Sequence, residues 1–272
     1  MSEPLRLLVI GAHPDDAEYK AGGLAALYRR LGHAVRFVSV TNGAAGHHLT
    51  PGPALVLRRK AEAEAAAATI GAECEVWDHP DGSLEPTLAR REQMIRLIRS
   101  WRPGLVLTHR PNDYHPDHRA TSQLVQDAAY LLTVPAVCPD VPRLRRDPVI
   151  AYLSDNFTRP YPFDPTVVID VASVWSEKIG MLHAHASQFY EWLPYNMGHP
   201  ETVPVADADR RAWLSARLEG LTEKDRDRLN GRSGIVANDV RLVEAFEGCE
   251  YGAPLDDEAR ARLFPFLRPA RR

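Results

Sequence analysis

Short, unbroken apolar runs alternate with longer stretches of helical period over the first 155 residues. Leu5–Ile10 is apolar throughout except for Arg6, the pattern of a strand covered on both faces. Residues 18–32 read as a helix closed by Gly32. Val35–Val40 reads as a second strand, and the alanine-rich stretch Leu55–Ile70, ended by Gly71, as a strong helix former. The alternation continues with strand 73–77, helix 88–101 stopped at Pro103, strand 105–108, helix 118–132 and strand 149–153. Beyond residue 155 the periodicity loosens. Residues 167–171 suit one more strand, 172–186 and 207–218 suit helices, 190–206 suit a long loop, and 235–246 are ambiguous.

Strict strand–helix alternation implies βαβ units and parallel pairing with helices on both sides. The expected fold is therefore a three-layer, Rossmann-like α/β fold with a mostly parallel, doubly wound sheet and a decorated C-terminal third. No repeat or linker interrupts the chain, so residues 1–272 are expected to form a single domain: an α/β core over 1–155 with an extension over 156–272 packed on it.

Composition narrows the partners. Thirty-three basic against 36 acidic residues give a net charge of −3, and the terminal arginines Arg268, Arg271 and Arg272 are too few to make a nucleic-acid surface. Cys74, Cys138 and Cys249 are odd in number and far apart, so they form neither a disulfide framework nor a CxxC metal clamp, and they suit a reducing cytoplasm. The first apolar run is too short for a signal peptide or a membrane span. No membrane and no nucleic-acid partner are expected, and homo-oligomer formation is left open.

The chemistry lies at two strand ends. The first strand leads into Gly11-Ala12-His13-Pro14-Asp15-Asp16, where a dinucleotide-binding fold would carry glycines that bring backbone amides against a pyrophosphate. Two carboxylates there repel phosphate but suit a metal. The fourth strand leads into Asn112-Asp113-Tyr114-His115-Pro116-Asp117-His118. In a doubly wound sheet, strands one and four are neighbours at the switch point, and their C-terminal ends flank the ligand crevice. A divalent cation held by His13, Asp16 and His118 would have three protein ligands and an open position, the catalytic arrangement rather than the structural one. Taken singly, each motif could equally be a polar helix cap; their pairing across one crevice favours the metal.

Ala12-His13-Pro14-Asp15-Asp16 and His115-Pro116-Asp117-His118, in this order, resemble the two motifs of the PIG-L/LmbE-like zinc-dependent N-deacetylases. The similarity extends over much of residues 5–190, through Gly22-Gly23, Arg59 with Glu62, Asp81-Gly82 and His185-Ala186-Ser187-Gln188. Ala17, Tyr19 and Lys20 depart from the residues often found there, which bears on the substrate more than on the metal. The resemblance implies Zn2+ on His13, Asp16 and His118, other divalent transition metals being compatible with such donors. It implies a substrate that is a small-molecule N-acetylated sugar conjugate. Asp15 would be the general base, and a protonated His115 would stabilise the oxyanion. Asp117 would hydrogen-bond His115 and raise its pKa, or cap the following helix. Asp81, Asn112, Asp113 and His185 are candidate substrate contacts, with ordinary turn or packing roles as the competing reading.

Two other functions share these features. A metal-dependent hydratase acting on a small unsaturated acid would use the same cation and need basic residues facing the crevice; Lys20, Arg110 and Arg119 adjoin the motifs and leave the two readings undecided. A non-catalytic carbohydrate-binding protein would need neither Asp15 nor His115. His47-His48 reads as an exposed polar loop, with covering of the pocket as the alternative, and Tyr190, Trp192, Tyr195 and His199 as loop aromatics that anchor to the core, with stacking on a sugar face as theirs.

Overall fold

A computed structural model describes residues 4–233 and 240–267. Arg268, Arg271, Arg272 and residues 235–239 of the ambiguous segment lie outside the described residues. Seven strands form one sheet: β1 (Arg6–Gly11), β2 (Ala34–Thr41), β3 (Glu73–His79), β4 (Leu105–Thr108), β5 (Val149–Leu153), β6 (Val167–Asp170) and β7 (Val243–Gly248). Their order is β3-β2-β1-β4-β5-β7-β6, with the first five parallel and β7 antiparallel to both neighbours. The expected α/β class and the placing of β1 beside β4 both hold. β7 is the strand hidden in the ambiguous stretch, and through it the C-terminal third enters the same sheet.

The helices are α1 (Asp16–Arg30), α2 (Pro53–Ile70), α3 (Leu88–Trp101), α4 (Pro116–Ala129), α5 (Trp175–Ala184), α6 (Leu193–Asn196), α7 (Asp207–Ser233) and α8 (Asp257–Leu263). The unbroken apolar run of β1 is explained by its two faces. Leu7 and Val9 share one apolar cluster with Leu24 of α1 and Phe246 of β7, whereas Leu8 and Ile10 share another with Ile95 of α3 and Leu124 of α4. Neither face of that strand can be polar.

The stretch expected as a loop is partly helical. A π-helical segment, Ser187–Trp192, runs directly into α6, and Phe189 and Tyr190 are buried. Its wider turn breaks the 3.6-residue period, and Pro194 falls in the first turn of α6, where no intrahelical N–H is needed. The helix expected over 207–218 continues to Ser233. The cysteines are all free.

Candidate metal centre

The turn after β1 is tight. A Cβ on Gly11 would lie 2.6 Å from Asp16 Cβ, so only glycine lets the chain fold back. Asp15 takes φ 130°, a conformation that costs a non-glycine residue of the order of 1–3 kcal/mol. It makes no helix-capping hydrogen bond, so the bland reading of this motif fails. The carboxylate of Asp16 instead accepts from the His13 backbone N–H at 2.7 Å. His118 reaches the same point from the first turn of α4, after the neighbouring β4.

His13 Nδ1 lies 3.3 Å from His118 Nε2 and 3.5 Å from Asp16 Oδ2, while His118 Nε2 lies 3.5 Å from Asp16 Oδ1. Four-coordinate zinc with bonds of about 2.0–2.1 Å has ligand–ligand edges of roughly 3.4 Å, so each separation is that of two ligands on one cation, His13 being met by one oxygen of Asp16 and His118 by the other. Two ring nitrogens so close, with only one able to donate, also need a proton or a cation between them. The donor set therefore fits a divalent metal. Donor atoms of His13, His115 and His118 all lie within 4.8 Å of one another, as do those of Asp16, His109 and His118. Burial alone would raise the Asp16 pKa, but His118 and His109 hold the carboxyl well below the usual range.

The far side of His13 is held by two carboxylates. Its Nε2 lies 3.1 Å from Asp117 Oδ2 and 3.1 Å from Asp81 Oδ1. Burial opposes the charged imidazole, but hydrogen bonds to Asp117, Asp16 and Asp81 raise its pKa well above the ordinary value. Asp117 is fully buried and also accepts from Gly82 N and Leu84 N at 2.7 and 3.1 Å. Burial would push its pKa up, and the hydrogen bonds from His13, Gly82 and Leu84 bring it to about 2.

These contacts and the cavity lining correct four expectations. The Asp117 carboxylate serves His13, not His115; only its backbone N–H meets His115, donating to Nδ1 at 3.2 Å. His115 itself caps α4. Its pKa is lowered by burial and by the nearby His13 and His118, so the ring is neutral, with Nε2 as its N–H donor. Asp113, expected at a sugar hydroxyl, has Oδ1 3.0 Å from His118 Nδ1 and accepts from His115 N. Asn112 is half-buried and does not line the cavity.

Asp15 is pushed up to about 6, by burial first and also by Asp16, against the opposing pull of Arg59. Arg59 is buried, donates from Nη2 to Pro14 O at 2.7 Å and places that nitrogen 3.4 Å from Asp15 Oδ1. A Cβ at Gly43 or Gly46 would strike Arg59 Nη1 at 2.6 or 2.7 Å, so both glycines make room for it. His185 is fully buried, with Nε2 3.4 Å from Glu18 Oε1 but misaligned for a hydrogen bond; it is not a cavity residue.

A cavity of about 610 Å³ opens over the donors, with His13, Asp15, Asp16, Asp81 and His115 in its lining. The loop expected to be exposed around His47-His48 is docked onto the π-helical segment. His47 is buried with Nε2 2.8 Å from Glu191 Oε2, and His48 stacks on Tyr195 at 3.8 Å. Trp192 faces the cavity, Tyr190 is buried against His183, and His199 is exposed. Sequence reasoning missed His109, which stacks on His118 at 3.9 Å with Nε2 3.2 Å from Asp16 Oδ2. Burial, helped by His118, lowers its pKa to about 4. Its one signal is position, directly after β4.

Residues 8–129 match the family model described as GlcNAc-PI de-N-acetylase, PIG-L. A 4-oxalmesaconate hydratase of Pseudomonas putida is 29% identical over 200 residues, covering 69% of this chain and 76% of the relative. A diacetylchitobiose deacetylase of Thermococcus kodakarensis is 29% identical over 205 residues, covering 70% and 74%. The solved structure of N,N'-diacetylchitobiose deacetylase from Pyrococcus horikoshii shares the fold, with a TM-score of 0.69 at 21% identity over 90% of this chain and 84% of that one.

Proposed function

We propose that this chain, which belongs to the PIG-L/LmbE-like family through residues 8–129, is a zinc-dependent hydrolase that removes an N-acetyl group from an amino-sugar derivative or glycoconjugate. The observation that carries the reading is Asp15: a half-buried carboxyl raised to about 6, in a strained conformation, beside the cluster of metal donors under one cavity. A base poised close to working pH next to a cation site is the equipment of hydrolysis. We take residues 1–272 as one domain and place it in the cytoplasm; no helix among the described residues is long and apolar enough to cross a membrane.

His13, Asp16 and His118 would hold the cation. When bound, zinc supplies Lewis-acid polarisation of the amide carbonyl and lowers the pKa of a water in its open position from 15.7 to about 7. Asp15 takes the proton of the attacking water, then delivers it to the amine nitrogen as the C–N bond breaks, leaving acetate and a free amine. His115 Nε2–H donates to the carbonyl oxygen as charge develops on it. Asp117 and Asp81 fix the ring of His13, and Asp113 flanks that of His118, the carboxylate–histidine arrangement that orients metal ligands. Arg59 spans Pro14 O and Asp15 and so holds the base in place.

The hydratase relative makes the alternative concrete, and the charge of the cavity argues against it. Arg59 and Arg217 are the basic residues in the described lining, and Arg59 is already committed to Pro14 O and Gly43 O. Arg110 pairs with Asp155, Arg119 donates to Asp113 O and Lys20 sits over the Tyr19 ring; none of the three lines the cavity. A small polyacid would find few cations, whereas a neutral sugar amide needs none. A purely sugar-binding protein has no use for a strained base.

The decisive experiment combines metal analysis with a panel of N-acetylglucosamine conjugates. One zinc-type ion per chain and equimolar acetate and amine are expected, with both lost in His118→Ala. Hydration of an unsaturated acid with no acetate from any amide overturns the proposal.

A further inference from the structure

One amide in the cavity wall is held in a single orientation by a chain of donors and acceptors. The chain starts at Glu62 of α2, whose carboxylate accepts from Arg58 Nε at 3.0 Å, from Ser187 N at 3.0 Å and from Ser187 Oγ at 2.5 Å. The Ser187 hydroxyl gives its one proton to Glu62, so towards any other neighbour its oxygen can only accept. That neighbour is Gln188 Nε2 at 3.1 Å, and the same Nε2 donates to Gly46 O at 3.0 Å. Turned over, the amide would set its oxygen against two acceptors, so the network itself assigns which end is which.

With both N–H groups committed, the oxygen is the end left for a ligand. Gln188 is only 3% exposed and lines the cavity. Its Oε1 meets no donor among the described residues, yet it is not sealed from solvent. A nearly buried acceptor in that state is costly until something donates to it. It also stands close to the base. A Cβ on Gly46 would lie 2.7 Å from Arg59 Nη1 and 3.5 Å from Gln188 Oε1, which puts the oxygen beside the guanidinium that holds Asp15. Ser187 and Gln188 open the π-helical segment, and such wide turns are found mostly at functional sites.

We infer that Gln188 is a specificity-determining residue: its Oε1 accepts a hydrogen bond from one hydroxyl of the substrate sugar, and Ser187, Glu62 and Gly46 are positioning residues for that amide. This rests on the deacetylase reading of the same site. Asp15 must face the acetamide nitrogen to protonate it as the C–N bond breaks, so the donors left for Gln188 are hydroxyls.

The test is calorimetric binding to zinc-loaded Asp15→Asn of methyl N-acetylglucosaminide and its 3-deoxy, 4-deoxy and 6-deoxy forms. One deoxy sugar is expected to bind about tenfold more weakly than the parent, the scale of a buried acceptor left without its donor. In Gln188→Met on the same background, the parent is expected to weaken to the level of that deoxy sugar. The ratio between those two then falls close to one, while the other two ratios stay as they were. Ser187→Ala keeps Gln188 but removes one of the acceptors that fix its amide, and is expected to lower the same ratio by less. A residue that merely anchors the loop carrying Gly46 would weaken all four sugars alike, so a ratio untouched by both variants overturns the inference. Equal binding of all four sugars, or binding of none, overturns it without recourse to either variant. Acetate release by the unaltered protein is followed on the same sugars. Discrimination among them without any acetate supports the contact and sinks the hydrolytic reading alone.

Discussion

Asp15 and Asp117 are one residue type in two environments, and their protonation is driven in opposite directions. Asp117 has two backbone N–H groups and His13 to hold its charge, and stays ionised down to about 2. Asp15 has mainly Arg59 at 3.4 Å, which does not offset its burial beside Asp16, and rises to about 6. Pairs of carboxyls driven apart in this way divide the roles of proton carrier and fixed charge. Asp15→Asn is therefore expected to keep zinc and lose a factor of roughly 10²–10⁴ in kcat, the scale of a lost general base. Because the base must be ionised, kcat/KM of the unaltered protein should fall as pH drops through about 6, or lower once the cation favours the carboxylate. A flat profile from pH 7 to 4.5 would move the base elsewhere. Asp117→Asn is expected to leave kcat per bound zinc nearly unchanged but weaken zinc affinity by roughly 10–100-fold, measured by competition with a chromophoric chelator.

At the scale of elements, α1 carries Asp16 in its first turn and must be fixed in place for the triangle to exist. Its ladder is interrupted in the middle by a buried ion pair. Gly23 N and Leu24 N donate to Glu244 of β7 at 2.7 and 2.8 Å, while Lys178 of α5 donates to Tyr19 O at 2.8 Å and to Glu244. Gly23 is required there, since a Cβ would lie 2.4 Å from Val171 Cγ1. Glu244→Ala strands a buried ammonium and two amides, and a loss of about 3–5 kcal/mol in urea unfolding is expected. A loss under about 1 kcal/mol would show that the helix does not depend on this splice. Such long-range partners mark the boundary of what was legible in the sequence. β1, β4 and their two motifs were legible because burial on both faces writes an unbroken apolar run and the chemistry sits at its end. The pairing of His13 with Asp117, 104 residues apart, was not, because a carboxylate two residues from His115 looks like its local partner until the backbone direction is known. The π-helical segment was hidden by its own period, and α7's share of the cavity by the loosened pattern around it.

For the molecule as a whole, the site is a strained and charged region that the two hydrophobic layers must hold together. The folded pKa of Asp15 lies above its ordinary 3.8, so the metal-free folded state binds this proton more tightly than the unfolded chain does. Its contribution to stability is fully present below about pH 4 and is lost as pH rises through about 6; above that, the folded protein carries a poorly solvated negative charge. Asparagine has the same shape and cannot ionise. Chelator-treated Asp15→Asn should consequently be more stable than the unaltered protein at pH 7.5, by something of the order of 1–3 kcal/mol, and the advantage should vanish near pH 4. Zinc should shrink the difference at pH 7.5, because a cation beside Asp15 favours its charged form. Urea unfolding at the two pH values, with and without zinc, measures all of this. A variant equally stable at both pH values would mean that the fold does not pay in stability for its base, and that the raised pKa has another origin.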